Sequence, residues 1–377
     1  MKVSPIPFAV ALAVLSCAGG AHAQSGASGT SVTMFGVLDA GVGRYKGAAT
    51  GVTSADVPTW RQDAGNLTTS FWGLRGTEDL GGGLSALFSL ESFLRNDTGQ
   101  FGRSDAVTTP AISVTADPFW SKAAWVGLDS KTLGRIRLGQ ITTAMWISSV
   151  RTNAFGDSTA FSPINLLMFI NAPSILSGGT GWSNSVSYET PTVGGFNLNL
   201  QGSLGENSGG NNLGGRLSYI SGPLETSFAY TSVKTDPLTF SQGTSKSNNK
   251  NTLFAIAYDF KAVKLFAHLG QIKTDGSNTP APADNNVTHR IWDISALLPI
   301  GVGQVMAGYG QRKGNETLSP HTQRRVASLG YTYSLSKRTD LYALMRFDRT
   351  TTQNPPSLTT TTNASGTSYA VGMRHAF

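Results

Sequence analysis

The chain has 377 residues, of which 14% are charged, 44 are glycine and one is cysteine, and its formal net charge is +7. A single thiol excludes both a disulfide framework and a cysteine-built metal centre. Past the N-terminus no 18 apolar residues run uninterrupted, which excludes a membrane-spanning helix but not a membrane crossed by strands, whose alternating residues average to a mean hydropathy near zero.

Residues 1–23 join Lys2, an apolar run over residues 6–15 and the small-residue end Ala21-His22-Ala23, the three-part layout of a secretory leader. The apolar run falls short of the roughly 20 residues a spanning helix needs. The sequence therefore predicts cleavage after residue 23 and a single domain over residues 24–377, with Cys17 lost in the leader. A lipid-anchored reading of Val14-Leu15-Ser16-Cys17 competes less well than the Ala-His-Ala end. In an exported chain, the remaining positive charge points to small anionic solutes rather than nucleic acid.

Strands follow, recognised by apolar residues at every second position. Near the start, Trp72 and Leu74 fall on one face with Arg75 opposite, then Phe88 and Leu90 with Glu91 and Arg95 opposite. Ile136 and Leu138 alternate with Arg135 and Arg137. Phe196, Leu198 and Leu200 alternate with Asn197, Asn199 and Gln201, and Leu213, Leu217 and Tyr219 with Gly214, Arg216 and Ser218. Further rows are Leu224, Thr226, Phe228 and Tyr230; Phe254, Ile256, Tyr258 and Phe260; Ala327, Leu329, Tyr331, Tyr333 and Leu335; and Leu341, Ala343, Met345 and Phe347. The chain ends on Tyr369, Val371, Met373, His375 and Phe377, again at alternate positions.

Connections alternate in length. Short ones are expected at residues 81–83, 130–133, 191–195, 221–223, 300–303 and 336–337. Long polar ones are expected at 97–117, 142–181, 205–212, 234–250, 274–287, 314–322 and 349–366. Tight turns at one end and long loops at the other are the pattern of a membrane barrel, and the hairpins number roughly sixteen strands, in the range where the interior stays aqueous. The fold class expected is all-β, a transmembrane antiparallel β-barrel. The connection at 142–181 is the longest, contains a short helical stretch over residues 163–169, and is expected to fold into the lumen.

At this point the chain resembles the general porins of Gram-negative bacteria, of the β-proteobacterial type. The resemblance rests on residues 31–39 (SVTMFGVLD), 73–84 (GLRGTEDLGGGL), 88–91 (FSLE), 125–128 (WVGL), 134–139 (GRIRLG) and the end 371–377 (VGMRHAF), an ordered series spanning the mature chain. It implies residence in the outer membrane among lipid and lipopolysaccharide, a homotrimer, and a third extracellular loop that narrows each pore. It implies passive diffusion of small hydrophilic solutes, no cofactor, and an insertion signal formed by Tyr369, Val371, Met373, His375 and Phe377. It further implies a basic wall opposed by acidic loop residues. Arg75, Glu91, Arg95, Arg135 and Arg137 are the wall candidates, and Arg151 and Asp157 the loop candidates. Phe71 and Gln140 stand where relatives often carry Arg, so the wall is expected to be less basic than theirs and the anion preference weak.

Other classes fit less well. Past the leader, the histidines are His268, His289, His321 and His375, and no Ser-His-Asp set can be aligned from their spacing. Gly81-Gly82-Gly83 lacks the spacing and the following helix of a phosphate loop. A substrate-specific channel remains the alternative to general diffusion, because the same wall chemistry serves both.

Overall fold

The computed structural model describes residues 30–48, 57–102, 118–169, 179–205, 211–240, 243–279, 287–316, 321–353 and 361–377. The predicted leader lies outside these residues. Among them the chain forms strands β1 (Ser31–Tyr45), β2 (Thr59–Ala64), β3 (Phe71–Gly81), β4 (Leu84–Arg95), β5 (Gln100–Phe101), β6 (Ala123–Ser130) and β7 (Gly134–Thr142). Two short helices follow, α1 (Ala144–Arg151) and α2 (Pro163–Met168). The remainder is β8 (Gly181–Glu189), β9 (Phe196–Ser203), β10 (Asn212–Ser221), β11 (Leu224–Phe240), β12 (Gly243–Asp259) and β13 (Lys264–Thr279). Last come β14 (Val287–Ile300), β15 (Gly303–Glu316), β16 (His321–Ser334), β17 (Thr339–Gln353) and β18 (Thr361–Ala376).

All pairings are antiparallel, between neighbours in sequence except that β1 also pairs with β3 and β4 with β6, and the ring closes where β1 pairs with β18 from Val37↔Ala376 to Arg44↔Tyr369. The terminal Phe377 completes the seam, exchanging backbone hydrogen bonds of 3.0 and 3.2 Å with Gly36. With β2 and β5 counted as pieces of the connections beside them, sixteen strands make a closed barrel, which leaves no unpaired edge. No helix among the described residues is long and apolar enough to cross a membrane.

Alternation decides which side chain meets which solvent. Along β18, Tyr369, Val371, Met373 and Phe377 are exposed on the outside while Ser368 and Ala370 are buried toward the lumen. The outer face carries Leu138, Leu200, Leu217, Phe228, Phe254, Leu269, Ile294, Leu329 and Phe347, all exposed. On a water-soluble protein such an apolar belt would be a large liability, but against hydrocarbon it is the stable solution.

The tight turns fall where expected. Gly81, Gly82 and Gly83 hold φ of +82°, +61° and +80°, a region residues with a Cβ rarely enter. A further turn at 260–263 escaped the sequence reading because no glycine marks it. There Lys261 itself adopts φ +70°, its N–H donating to Asp259 Oδ1 at 2.7 Å.

In four of the expected long loops the described residues continue the flanking strands instead. β11 continues to Phe240 and β12 begins at Gly243, and the hairpins β13/β14, β15/β16 and β17/β18 likewise run past residues expected to be loop. Beyond the lipid both faces of a strand are polar, so the period-two signal fades while the ladder continues. A second departure lies at residues 65–70. β2 and β3 both pair with β1, and between Ala64↔Ala40 and Phe71↔Val37 these six residues leave the wall and enter the lumen.

Candidate functional site

The connection between β7 and β8 lies inside the barrel. Thr143 caps α1, its hydroxyl accepting the Trp146 N–H at 3.3 Å, and Ser162 caps α2 with Pro163 as the first helical residue. Both helices pack on β9–β16, and the segment between them reaches β17. Phe155 and Phe161 bury against Phe266, Met306, Tyr342 and Leu344, and Ile164, Leu167 and Phe169 against Leu253, Ile272, Ile291 and Val326. Each large side chain so buried contributes roughly 1.5–3 kcal/mol. Gly310 lets the loop sit this close, since a Cβ there would stand 2.8 Å from Leu167 Cδ1.

Polar clamps fix the loop to the same wall. Arg324 forks onto Asp348 at 3.0 and 2.7 Å and donates from Nη1 to the Leu166 carbonyl at 3.0 Å. Arg312 donates to the Leu167 carbonyl at 2.9 Å, and Arg346 donates to the Ala160 carbonyl. The last turn of α2 leaves carbonyls without helical partners, and two guanidiniums satisfy them with the charge a helix C-terminus favours. Deeper still, His268 bridges Thr152 Oγ1 and Asp293 Oδ1, each at 2.9 Å, with the His–Asp pair wholly buried.

The intruding 65–70 segment holds the loop from the other side. Asp39 accepts the Leu67 and Thr68 N–H groups at 2.8 and 2.9 Å and the Tyr342 hydroxyl at 2.6 Å. Tyr45 donates to Asn66 at 2.8 Å, and Asn66 donates to Tyr342 at 3.1 Å. The Thr68 hydroxyl donates to Asp157 at 2.9 Å, and the Ser158 hydroxyl to the Asn66 carbonyl. Burial in the loop pushes the Asp157 carboxyl above its ordinary pKa, opposed by the Thr68 hydroxyl and the positive charge of Lys122.

With the loop seated on β9–β17, the inner wall of β1 and β3–β8 lines the open side of the lumen. Arg75 lies there over the Phe35 ring at 4.7 Å. Glu91 pairs with Lys122, which also covers the Phe71 ring at 4.0 Å. Arg135 pairs with Asp129 at 2.9 Å; Arg137 bonds Ser187 at 3.2 Å, lies 3.6 Å from Glu189 and covers Trp125. Arg95 ends β4 with its Nε buried and unpartnered. Arg151 leaves α1 for Glu225 on β11 at 2.6 Å. The wall candidates thus engage wall neighbours rather than the loop, and the charges that face Asp157 are Lys122 and Arg374.

Sequence reasoning missed Arg61, which covers Tyr45 at 4.4 Å and pairs with Asp63 at 2.7 Å, and also missed Lys122, Arg374 and the three clamp arginines. The one available signal was inward apolar residues, Leu253, Ile272, Ile291 and Val326, on strands whose inner face should meet water. Among the described residues, Arg75, Arg95 and Arg216 have no carboxylate within ion-pair distance. Tyr369, Val371, Met373, His375 and Phe377 all sit outward as expected, with His375 Nδ1 2.9 Å from Thr339 Oγ1.

A closed sixteen-stranded barrel with an apolar outside, a polar wall and an inward-folded connection between β7 and β8 defines an outer-membrane diffusion channel. The model of the Gram-negative porin family matches residues 9–353, and the chain belongs to that family. It is 28% identical to outer membrane porin protein 32 of Delftia acidovorans, over 98% of this chain and 99% of that one. It is 26% identical to an outer membrane porin of Bordetella pertussis, over 96% of each. Among solved structures, an anion-selective porin from Comamonas acidovorans superposes with a TM-score of 0.71 at 25% identity, covering 92% of this chain and 100% of that one. The trimer form of OmpT from Vibrio cholerae gives 0.67 at 12% identity, covering 92% and 99%.

Proposed function

We propose that this porin is a general diffusion channel for small hydrophilic solutes with a weak preference for anions. The observation that carries this reading is the charge left over in the lumen. Among the described residues, Lys122, Arg135, Arg137, Arg151 and Arg374 are each matched by a carboxylate, whereas Arg75, Arg95 and Arg216 are not. The lumenal carboxylates without an ion pair, Asp39 and Asp157, lie under hydrogen bonds from the 65–70 segment, so the unmatched charge on the open wall is positive. At a narrow point, unmatched charge of one sign sets ion preference. The likeness to a porin described as anion-selective supports the same sign.

The wall and loop candidates act here as the field of the pore, and the C-terminal row as the insertion signal. The working unit is a homotrimer embedded in outer-membrane lipid and lipopolysaccharide, reached after removal of residues 1–23. The outer face around β1–β6 suits subunit contact: Trp60 meets Tyr369 edge-on at 5.6 Å, and Trp72, Phe101, Phe119 and Trp120 form a second aromatic patch. Catalysis forms no part of the proposal. The string Thr152–His268–Asp293 has the order of a hydrolytic triad, but its hydroxyl donates to the Ser148 carbonyl and lies buried under the loop.

Planar-bilayer recording under a salt gradient tests the reading. Channels opening in steps of three with a reversal potential of anion sign are expected, and a cation-sign potential overturns it.

A further inference from the structure

The inner face of the open wall is less polar than a passage for hydrophilic solutes requires. Alternation sends Met34, Val126 and Leu128 to the lipid side, where they are exposed, and so turns Phe35, Phe71, Leu87 and Trp125 to the lumen. On the opposite wall the inward apolar residues lie under the loop. These four stand on the side that the loop leaves open, and each is only half-buried.

Each of the three rings carries a cation. Arg75 lies over Phe35 at 4.7 Å, Lys122 over Phe71 at 4.0 Å and Arg137 over Trp125 at 5.5 Å, and Phe35 meets Phe71 edge-on at 5.9 Å. A ring beneath a guanidinium attracts it through the ring quadrupole and takes one of its faces, leaving the other face to a solute. Arg137 reaches Trp125 by leaning across Gly127, where a Cβ would stand 3.0 Å from Arg137 Cγ. Arg75 stays exposed in the lumen.

Strand register shows where a solute fits. Arg75, Ser89 and Trp125 share one row across β3, β4 and β6, with Leu87 two residues along β4. Ser89 is buried and its hydroxyl donates to Glu91 Oε1 at 2.8 Å. Between Arg75 and Trp125, two strand spacings or about 9.5 Å apart at the backbone, the wall is therefore a shallow trough. The carboxylates that border it are engaged: Glu91 by Lys122 and Ser89, Asp129 by Arg135, and Glu189 by Arg137 at 3.6 Å. The trough thus offers a guanidinium at one end and an indole with a leucine at the other. Chloride uses only the guanidinium. A planar ring bearing one carboxylate uses both ends, its carboxylate on the Arg75 fork and its ring on Trp125 and Leu87.

We infer that the open wall holds a binding subsite for aromatic carboxylates, with Arg75 taking the carboxylate and Trp125 and Leu87 the ring. The subsite rests on the anion-preferring channel proposed above and names the class of anion that it retains longest.

The test is block of the potassium chloride current through the purified channel in a planar bilayer by added benzoate, with acetate and cyclohexanecarboxylate as probes of equal charge. Benzoate is expected to bind the parent roughly tenfold more tightly than acetate and roughly threefold more tightly than cyclohexanecarboxylate, whose puckered ring cannot stack. Trp125→Leu keeps apolar volume and removes the stacking face; a roughly fivefold loss for benzoate and none for acetate is expected, with Trp125→Phe within about twofold of the parent. Arg75→Gln is expected to weaken benzoate and acetate alike. Equal binding of the three probes by the parent overturns the subsite, and so does unchanged benzoate binding by Trp125→Leu or by Arg75→Gln. Should a variant fail to fold, the comparison of probes on the parent decides alone. The reversal potential of the parent in potassium chloride, recorded before any probe is added, reports the channel reading separately: a cation sign there is a failure of that reading, whereas equal block by the three probes after an anion sign is a failure of the subsite.

Discussion

The two halves of the barrel follow one alternation and put it to different uses. From β11 to β17 the strands are long and continuous, their inner faces carry Leu253, Ile272, Ile291 and Val326, and the lumenal loop is packed and clamped onto them. From β2 to β8 the strands are shorter, the wall is broken at residues 65–70, and the inner face of this half presents charged groups to open space. In the first half arginine is an anchor, donating to loop carbonyls; in the second it is a wall charge that a passing solute meets. Residue type and inward direction are the same in both, so what separates an anchor from a field residue is whether the loop covers it.

The largest effect is expected where the covered half holds the loop. Asp348→Ala leaves the Arg324 fork and the nearby Arg346 without their carboxylate in a buried place, and loss of one partner of a buried pair costs about 3–5 kcal/mol. A lower unfolding midpoint and noisy, enlarged single-channel currents are expected; unchanged currents would remove the clamp from the account. In the open half the matching residue is Asp39. Asp39→Ala strips the acceptor from Leu67, Thr68 and Tyr342, and at roughly 1.5–3 kcal/mol for a bond to a charged group a loss of about 3 kcal/mol is expected by thermal unfolding.

Gly310→Val sharpens the comparison at the seat of the loop. The new side chain meets Leu167 and overpacks the covered half, at about 1–3 kcal/mol, whereas Gly82→Ala, in a turn with open space around it, is limited to backbone strain. The smallest effect is expected from Thr143→Ala, which removes the α1 cap at about 1 kcal/mol and leaves reversal potential unchanged.

Much of the barrel was legible because lipid outside and water inside impose opposite demands at successive residues. Tyr331, Phe347 and the row ending at Phe377 could be assigned by counting in twos. Legibility ended where one of the two solvents was absent. Above the lipid, residues 234–240 and 243–250 read as loop although they continue β11 and β12, since neither face needed to be apolar. Under the loop, Arg312, Arg324 and Arg346 gave no signal, because their partners Leu167, Leu166 and Ala160 come from a segment more than 140 residues away. Arg61 and Lys122 were missed because they sit in connections, where alternation has no purchase.

The division into a covered and an open half can be measured directly, since the chain after residue 23 contains no cysteine. A single thiol is introduced on the open wall as Arg75→Cys or on the covered wall as Ser328→Cys, and a negatively charged methanethiosulfonate is added to the conducting channel. Rapid current reduction with Arg75→Cys and none with Ser328→Cys is the predicted result. Block through Ser328→Cys with Arg75→Cys unaffected would mean that solutes travel along the other wall, contrary to the account.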